Sequence, residues 1–319
     1  MRVTTSMIFN SGTSGLQARQ SDLYKLQNQL STGRRILSPE DDPIGASEAL
    51  QVTQSKAVNQ QFLDNQANAQ TQLGYLESTL GSVTDELSRI SELAAGAVSS
   101  SPSQRGMVAA ELKGRMESLI GLANSQDGTG QYIFAGYKST TKPFVAISQA
   151  SSPPAVPAYS LSAPYVQYNG DAGKPTLQVT LSQDMAVSEN GLDVFMQVKD
   201  SSGNVTGRSL FDNLQNLINV LDGSSTYSAA ALTTAQTDIS SAVSHISTVR
   251  ASVGARQNSL DSQTSAGGDV SLLYDTRLSE LQNLDFTAAI SQFTNIKTQL
   301  DAAQLTFKQT SQMSLFNIL

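Results

Sequence analysis

The feature that most narrows the fold is a helical seam near each end of the chain. Leu16, Leu23 and Leu30 recur every seven residues, with Leu26 on the same face. Ala289, Phe293, Ile296, Leu300, Ala303 and Phe307 advance by alternating steps of four and three. Such steps draw one apolar stripe along one side of an α-helix, and that stripe must be buried against something. Neither terminal segment has an obvious partner beside it in sequence. The two are expected to pair with each other or with neighbouring copies, as in a rod-like assembly subunit. The plainer alternative is the core of a local helix bundle.

The segments between the ends follow the same logic. A first helix is expected to gain order after the polar Gly12–Gly15 stretch, to carry Arg19 as an interruption, and to stop at Thr32-Gly33, glycine being the common left-handed cap. Ser38-Pro39 and Asp42-Pro43 each place a capping oxygen ahead of proline, a helix-start signal. The second opens a long seam through Phe62, Gln66, Ala69, Leu73, Leu76, Leu80, Val83, Leu87, Ile90, Ala94 and Ala97. As one helix, residues 43–98 would extend about 84 Å at about 1.5 Å per residue, which predicts an elongated molecule. Ser99–Pro102 breaks this helix, and Ala109, Leu112, Met116, Leu119 and Ala123 mark a shorter one.

Residues 131–208 change character. Aromatic and β-branched runs such as Tyr132-Ile133-Phe134 and Thr176–Leu181 alternate with Asn169-Gly170, Asn190-Gly191 and Ser202-Gly203 turns. They predict a small antiparallel β-domain, with Pro153-Pro154 and Pro157 in a loop. Leu210, Leu214, Leu217 and Leu221 return to helical spacing. Leu232, Ile239, Ile246, Val253 and Leu260 form the strictest heptad, which Gly267-Gly268 is expected to interrupt. The fold class is therefore mainly α with a β insert. Its expected organisation is a terminal coiled-coil domain of 1–40 and 277–319, a long-helix rod of 41–130 and 209–276, and an outer β-domain of 131–208.

Composition limits the chemistry. Only 15% of the 319 residues are charged, below the roughly 25% of an ordinary globular chain. Neutral polar surface is cheaper to desolvate against a neighbour than ionic surface is. The net charge of −7 divides into +4 over residues 1–35 and −11 over 36–276, a balance that argues against nucleic acid. No run approaches the ~18 apolar residues of a membrane span, and Met1–Asn10 lacks the apolar core of a cleavable secretory signal.

With no cysteine and one histidine, His245, the usual nucleophile and acid–base sets cannot be built. His245 precedes the seam residue Ile246 and reads as a solvated flank. Asp41-Asp42 reads as a pair of helix caps favoured by the helix dipole, within reach of Arg34 and Arg35. No calcium loop or metal set is visible, Gly128-Thr129-Gly130 is a weak match to a phosphate loop, and Asn204-Val205-Thr206 matches a glycosylation acceptor. The chain is expected to be neither an enzyme nor a cofactor binder.

The run Leu30-Ser-Thr-Gly33-Arg-Arg-Ile-Leu-Ser-Pro-Glu-Asp41-Asp42-Pro43 and its continuation to Leu50 resemble the N-terminal signature of the bacterial flagellin superfamily. Gln131-Tyr-Ile-Phe-Ala-Gly136 with Pro143-Phe144, and the ending Ser314-Leu-Phe-Asn-Ile-Leu319, resemble the hook–filament junction branch of that superfamily. Pro43 after Asp42 and the Asn-Ile-Leu ending depart from filament-forming flagellins. The resemblance covers about residues 1–145 and 270–319.

It implies a mechanical subunit of the extracellular flagellum, exported through the flagellar type III channel after being held by a cytoplasmic chaperone. The implied partners are further copies in a ring, hook-associated protein 1 on the hook side and flagellin on the filament side. Leu16, Leu23, Leu26, Leu30, Phe293, Ile296, Leu300 and Phe307 would pack the inner layer. Arg34, Arg35, Asp41 and Asp42 would sit at the joint between inner and rod layers. The rival readings are flagellin itself and a soluble signalling coiled coil.

Overall fold

The computed structural model of the chain describes residues 5–147, 165–200, 202–223 and 228–316. About 72% of it is helical, with two small antiparallel sheets. The expected Pro153-Pro154 and Pro157 loop lies outside the described residues, as do Asn317–Leu319 of the C-terminal motif. Six helices carry the fold: α1 (Thr5–Thr32), α2 (Pro43–Gly96), α3 (Pro102–Ala123), α4 (Leu210–Asp222), α5 (Ala229–Gln282) and α6 (Phe286–Phe316). The strands are β1 (Phe144–Ala146), β2 (Val166–Tyr168), β3 (Thr176–Thr180) and β4 (Gln183–Ala186), paired antiparallel as β1–β2 and β3–β4.

Local chemistry sets most helix ends. Gly33, at φ +68°, ends α1 in the left-handed region. A three-residue 3-10 turn, Ala97–Ser99, follows α2. Ser101 and Gln104 form a capping box at the start of α3, with Pro102 at its first position. Ser209 and Asp212 do the same for α4, which ends at Gly223. In each box the side chains occupy donors that the first turn leaves without helical partners.

Three helix boundaries differ from the sequence reading. Ser38-Pro39 opens only a turn, in which the Asp41 amide donates to the Ser38 carbonyl at 3.0 Å. α5 runs unbroken through Gly267-Gly268. Two glycines cost a helix about 1 kcal/mol each relative to alanine, less than the several backbone hydrogen bonds that a break forfeits. α1 is already helical before Gly12. The rings of Phe9 and Phe307 meet there at 5.1 Å, and a Cβ on Gly12 would stand 2.8 Å from Phe307 Cδ2. A glycine that reads as a turn in sequence instead lets an aromatic ring approach the helix.

The chain divides into two compact units, Met1–Gln60 with Gly268–Leu319, and Gln61–Gly267. The second holds the main core. From α2, Leu73, Leu76, Leu80, Val83, Leu87 and Ile90 are fully buried; from α5, Ile239, Ile246 and Val253 are. Leu112, Met116 and Leu119 of α3 and Leu214 and Leu217 of α4 complete the helical part. Phe134, Phe144, Phe195 and Phe211 join it as an aromatic cluster with centroids 4.9–5.9 Å apart. Phe134 lies in a turn rather than a strand, edge-on to Phe195 of a short π-helical turn, Leu192–Met196. The insert therefore shares the helices' core.

Two polar residues in this unit are buried for a reason. Gln66, a seam position, donates from Nε2 to the Val179 carbonyl at 2.8 Å and accepts from Thr264 Oγ1 at 3.1 Å. His245 is not the solvated flank that its place beside Ile246 suggests. It is only 8% exposed, and its Nε2 lies 2.8 Å from the Asp193 carbonyl oxygen. The π-helical turn folds over it, a tertiary contact with no signature in the α5 heptad. Burial lowers the pKa of the ring, against the bond to Asp193, and nearby Lys199 lowers it further.

Candidate functional site

The Met1–Gln60 and Gly268–Leu319 unit is built on α1 and α6, which pack side by side. Gly33 accepts at its carbonyl from the Leu284 amide at 3.0 Å, while Phe9 and Gly12 meet Phe307. The start of one helix thus lies beside the end of the other, so the pair is antiparallel. The loop between α1 and α2 crosses the α5–α6 turn here. The Arg35 amide donates to the Gln282 carbonyl at 2.7 Å, and its guanidinium donates to the Leu281 carbonyl at 2.9 Å.

Asp41 and Asp42 are each fixed by amides and by a cation. Asp41 Oδ2 accepts from the Leu37 and Ser38 amides at 3.0 and 3.1 Å, and Oδ1 lies 2.7 Å from Lys25 Nζ. Asp42 Oδ1 accepts from the Gly45 amide at 2.9 Å, capping α2, and Oδ2 lies 3.1 Å from Arg35 Nη1. Both carboxyls are held below the usual carboxylate range. For Asp41 the first cause is the Lys25 hydrogen bond, then the Ser38 and Leu37 amides. For Asp42 it is the Gly45 amide, then Arg35. Further along, Glu48 of α2 pairs with Arg277 of α5, and Lys56 with Asp275.

The seam residues are only partly covered. Of the eight, Leu26 and Leu300 are buried, each 7% exposed. Leu16, Leu23, Leu30, Phe293, Ile296 and Phe307 are half-buried. Large apolar side chains also stand in the open on these helices: Phe9, Tyr24, Phe286, Ile290 and Leu305 are each at least 50% exposed. Two antiparallel helices cover one stripe of each other and leave the flanks uncovered. Exposed apolar patches are the kind of surface on which proteins meet partners or membranes.

Of the four residues expected at the joint, the structure pairs Arg35 with Asp42 and gives Asp41 to Lys25. Arg34 is placed apart: its backbone bridges to Asn283, and its guanidinium is exposed with no ion pair among the described residues. Sequence reasoning missed Lys25, Glu48 and Arg277. Lys25 could have been found as a basic flank next to seam residue Leu26. The Glu48–Arg277 pair joins residues 229 apart in sequence, and nothing local announces it.

Antiparallel terminal helices, a capped turn into a second helix and a core shared with a small β insert define a flagellin-type helical subunit. The model of the bacterial flagellin N-terminal helical region matches residues 3–139, and that of the flagellin C-terminal helical region matches 236–319. Flagellar hook-associated protein 3 of Salmonella typhimurium is 30% identical over 332 residues, spanning 100% of this chain and 99% of the relative. The protein of that name from Escherichia coli K12 is equally similar. Among solved structures, Xanthomonas campestris FlgL is 21% identical with a TM-score of 0.58, covering 72% of this chain and 99% of its own. Hook-associated protein-3 of Legionella pneumophila is 20% identical with a TM-score of 0.60, covering 72% and 98%. At those identities the solved structures speak for the fold.

The chain belongs to the flagellar hook-associated protein 3 family, within the bacterial flagellin superfamily. Its role is structural and lies in the flagellum.

Proposed function

We propose that this chain forms the junction between flagellar hook and filament, as a ring of identical subunits packed through their terminal helices. The observation that carries the reading is the half-covered seam of α1 and α6, with Ile290 and Leu305 at 55% and 62% exposure. Head-to-tail contacts between copies build rings or tubes, and each new contact would cover apolar flanks that one chain leaves open.

In this reading residues 1–40 and 277–319 form the inner layer, 41–130 and 209–276 the rod, and 131–208 the outward insert. Leu16, Leu23, Leu30, Phe293, Ile296 and Phe307 reach across to the next copy, while Leu26 and Leu300 hold the pair together. Arg35, Asp41 and Asp42 stiffen the joint within one chain, and Arg34 remains for a neighbour. Hook-associated protein 1 would lie below the ring and flagellin above it. Export would pass through the flagellar type III channel from a cytoplasmic chaperone. Isolated terminal helices are marginal in water, which suits a subunit that orders them on assembly.

Deletion of the gene tests this. Hooks without filaments, with flagellin monomer in the medium, are expected. Normal filaments would overturn the junction reading, and bare hooks with no flagellin released would make the chain the filament subunit.

A further inference from the structure

We propose that neighbouring copies are keyed by one heterologous contact: Arg34 and the apolar groove beside it on one copy receive Asp269 and Leu273 of the next. The inference rests on the proposed ring and names the surfaces that would close it.

The groove is a cavity of about 230 Å³ on the Met1–Gln60 and Gly268–Leu319 unit. Arg34 stands at its edge, and Leu37, Ala46, Ala49 and Leu50 supply apolar walls. Leu50 is 70% exposed and Leu37 38%. Burial of exposed leucine surface is favourable in water, so a groove of this kind favours an apolar occupant. Arg34 adds a charge requirement, because its guanidinium is exposed and makes no ion pair among the described residues.

The same unit carries the complementary feature on α5. Leu272 and Leu273 are 68% and 66% exposed. Asp269 lies one turn before Leu273, is exposed, and has no ion-pair or hydrogen-bond partner among the described residues. The other acids of the unit suit the role less well. Asp22, Asp41, Asp42, Glu48, Asp275 and Glu280 are paired with cations of the same chain. Glu40 is exposed but follows Pro39, in the loop that lines the groove itself. Asp301 is exposed one turn before Leu305, on the α6 flank already assigned to the inner-layer contact. Asp285 caps α6 at the Ala288 amide.

One chain does not bring the two features together, and helix geometry says why. On α2 the inward residue is Ala49, and on α5 the inward stripe includes Tyr274 and Leu278. Glu48 immediately precedes Ala49, Arg277 immediately precedes Leu278, and these two side chains bond directly. The position before an inward residue therefore points to one common side of the α2–α5 pair. Leu273 precedes Tyr274 and is on that side. Leu50 follows Ala49 and is on the opposite side, with the groove. A knob and a groove on opposite faces of one unit are satisfied by a second copy repeating in one direction, the head-to-tail relation from which rings and tubes are built.

The test uses the full chain in its host, in the gene-deletion background. Arg34→Glu and Asp269→Lys are each expected to lower the fraction of hooks bearing filaments about tenfold, and the double swap to restore it. Both sites are exposed, so helicity of the secreted variants is expected to stay at the wild-type level. Singles that match wild type, or a double swap no better than either single, overturn the contact. Because the chain has no cysteine, a second readout is available. Leu50→Cys and Leu273→Cys are placed on separate copies and co-expressed. A disulfide dimer forming only when both variants are present supports the contact, and its absence overturns it. This readout does not depend on filament counts. If the wild-type chain fails to restore filaments to the deletion strain, the junction reading fails, while the cysteine pair still decides the contact.

Discussion

Asp42 serves a helix and the loop before it at once: Oδ1 accepts from the Gly45 amide at 2.9 Å and Oδ2 lies 3.1 Å from Arg35 Nη1. The first bond starts α2, and the second ties the α1–α2 loop to it. Asp42→Asn keeps a capping oxygen and loses the charge, whereas Asp42→Ala loses both. Limited proteolysis between residues 33 and 43 is expected to be fastest in Asp42→Ala, intermediate in Asp42→Asn and slowest in wild type. The carboxyls of Asp41 and Asp42 are both lowered from 3.8. A lowered carboxyl contributes stability that is complete above its unfolded pKa and lost as pH falls through the folded one. Cleavage of the wild-type loop by an acid-active protease is thus expected to rise below about pH 4, and that rise is expected to be smaller in Asp42→Asn.

Gly45 is the third residue of α2, where propensity and packing disagree. Alanine favours a helix over glycine by about 1 kcal/mol. Yet a Cβ there would lie 2.5 Å from Asp42 Oδ2 and 2.9 Å from Ile36 Cδ1. Overpacking of that kind costs about 1–3 kcal/mol, and Asp42 cannot swing away without losing its own bonds. Gly45→Ala is expected to lower the thermal midpoint despite the better helix former. A raised midpoint would show that the cap tolerates displacement.

The seams were legible because one apolar period spans whole helices, and Asp42-Pro43 announces its cap through residue type alone. Three features were not legible. Gly267-Gly268 looks like a break because propensity is local while α5 is held along its length. Gly12 looks like a turn because sequence does not show Phe307 arriving from residues far away. His245 looks solvated because the turn that covers it comes from the insert. In each case the deciding contact joins segments remote in sequence. At the joint, the capping of Asp42 was readable, whereas its division of labour with Asp41 depended on Lys25, a surface lysine with no distinguishing context.

Gln66 occupies an inward seam position and is only 3% exposed. Gln66→Leu would improve the apolar stripe but would leave the Val179 carbonyl and the Thr264 hydroxyl without this partner. Thr264 is an exposed residue whose hydroxyl can turn to water, whereas Val179 is fully buried and its carbonyl cannot. An orphaned buried polar group costs about 1–3 kcal/mol, against about 0.8 kcal/mol for each methylene-sized group that leucine adds to the core. The variant is expected to be less stable than wild type in urea unfolding. A single Gln66→Leu more stable than wild type would show that the β3–β4 hairpin does not depend on this bond.

His245 provides a clean titration because it is the only histidine. Burial holds its pKa below 6.5 in the folded chain. Between the two values the unfolded chain binds more protons, so stability rises with pH there and falls as pH drops below 6.5. Unfolding of the wild-type chain is expected at lower urea concentration at pH 5.5 than at pH 7.5. The difference is expected to shrink in His245→Gln, which keeps a donor towards the Asp193 carbonyl. The imidazole resonances would report the lowered pKa directly by NMR. A folded-state pKa at or above 6.5 would contradict the buried, neutral ring.

Assembly and folding place different demands on α6, and single substitutions can separate them. Ile290 and Leu305 are exposed and contribute little to the isolated chain, so Ile290→Ser and Leu305→Ser are expected to change its stability by about 0.5 kcal/mol or less. Leu300 is buried against α1, and Leu300→Ser removes apolar contacts and adds a hydroxyl, at an expected cost of about 2–5 kcal/mol. If α6 acts only within one chain, loss of function should follow this order, with Leu300→Ser worst and the exposed pair silent. If the uncovered flank packs against a neighbouring copy, Ile290→Ser and Leu305→Ser should abolish filament attachment while the purified chain keeps its wild-type unfolding curve. The two outcomes are distinguished by filament counts beside urea titrations of the same variants.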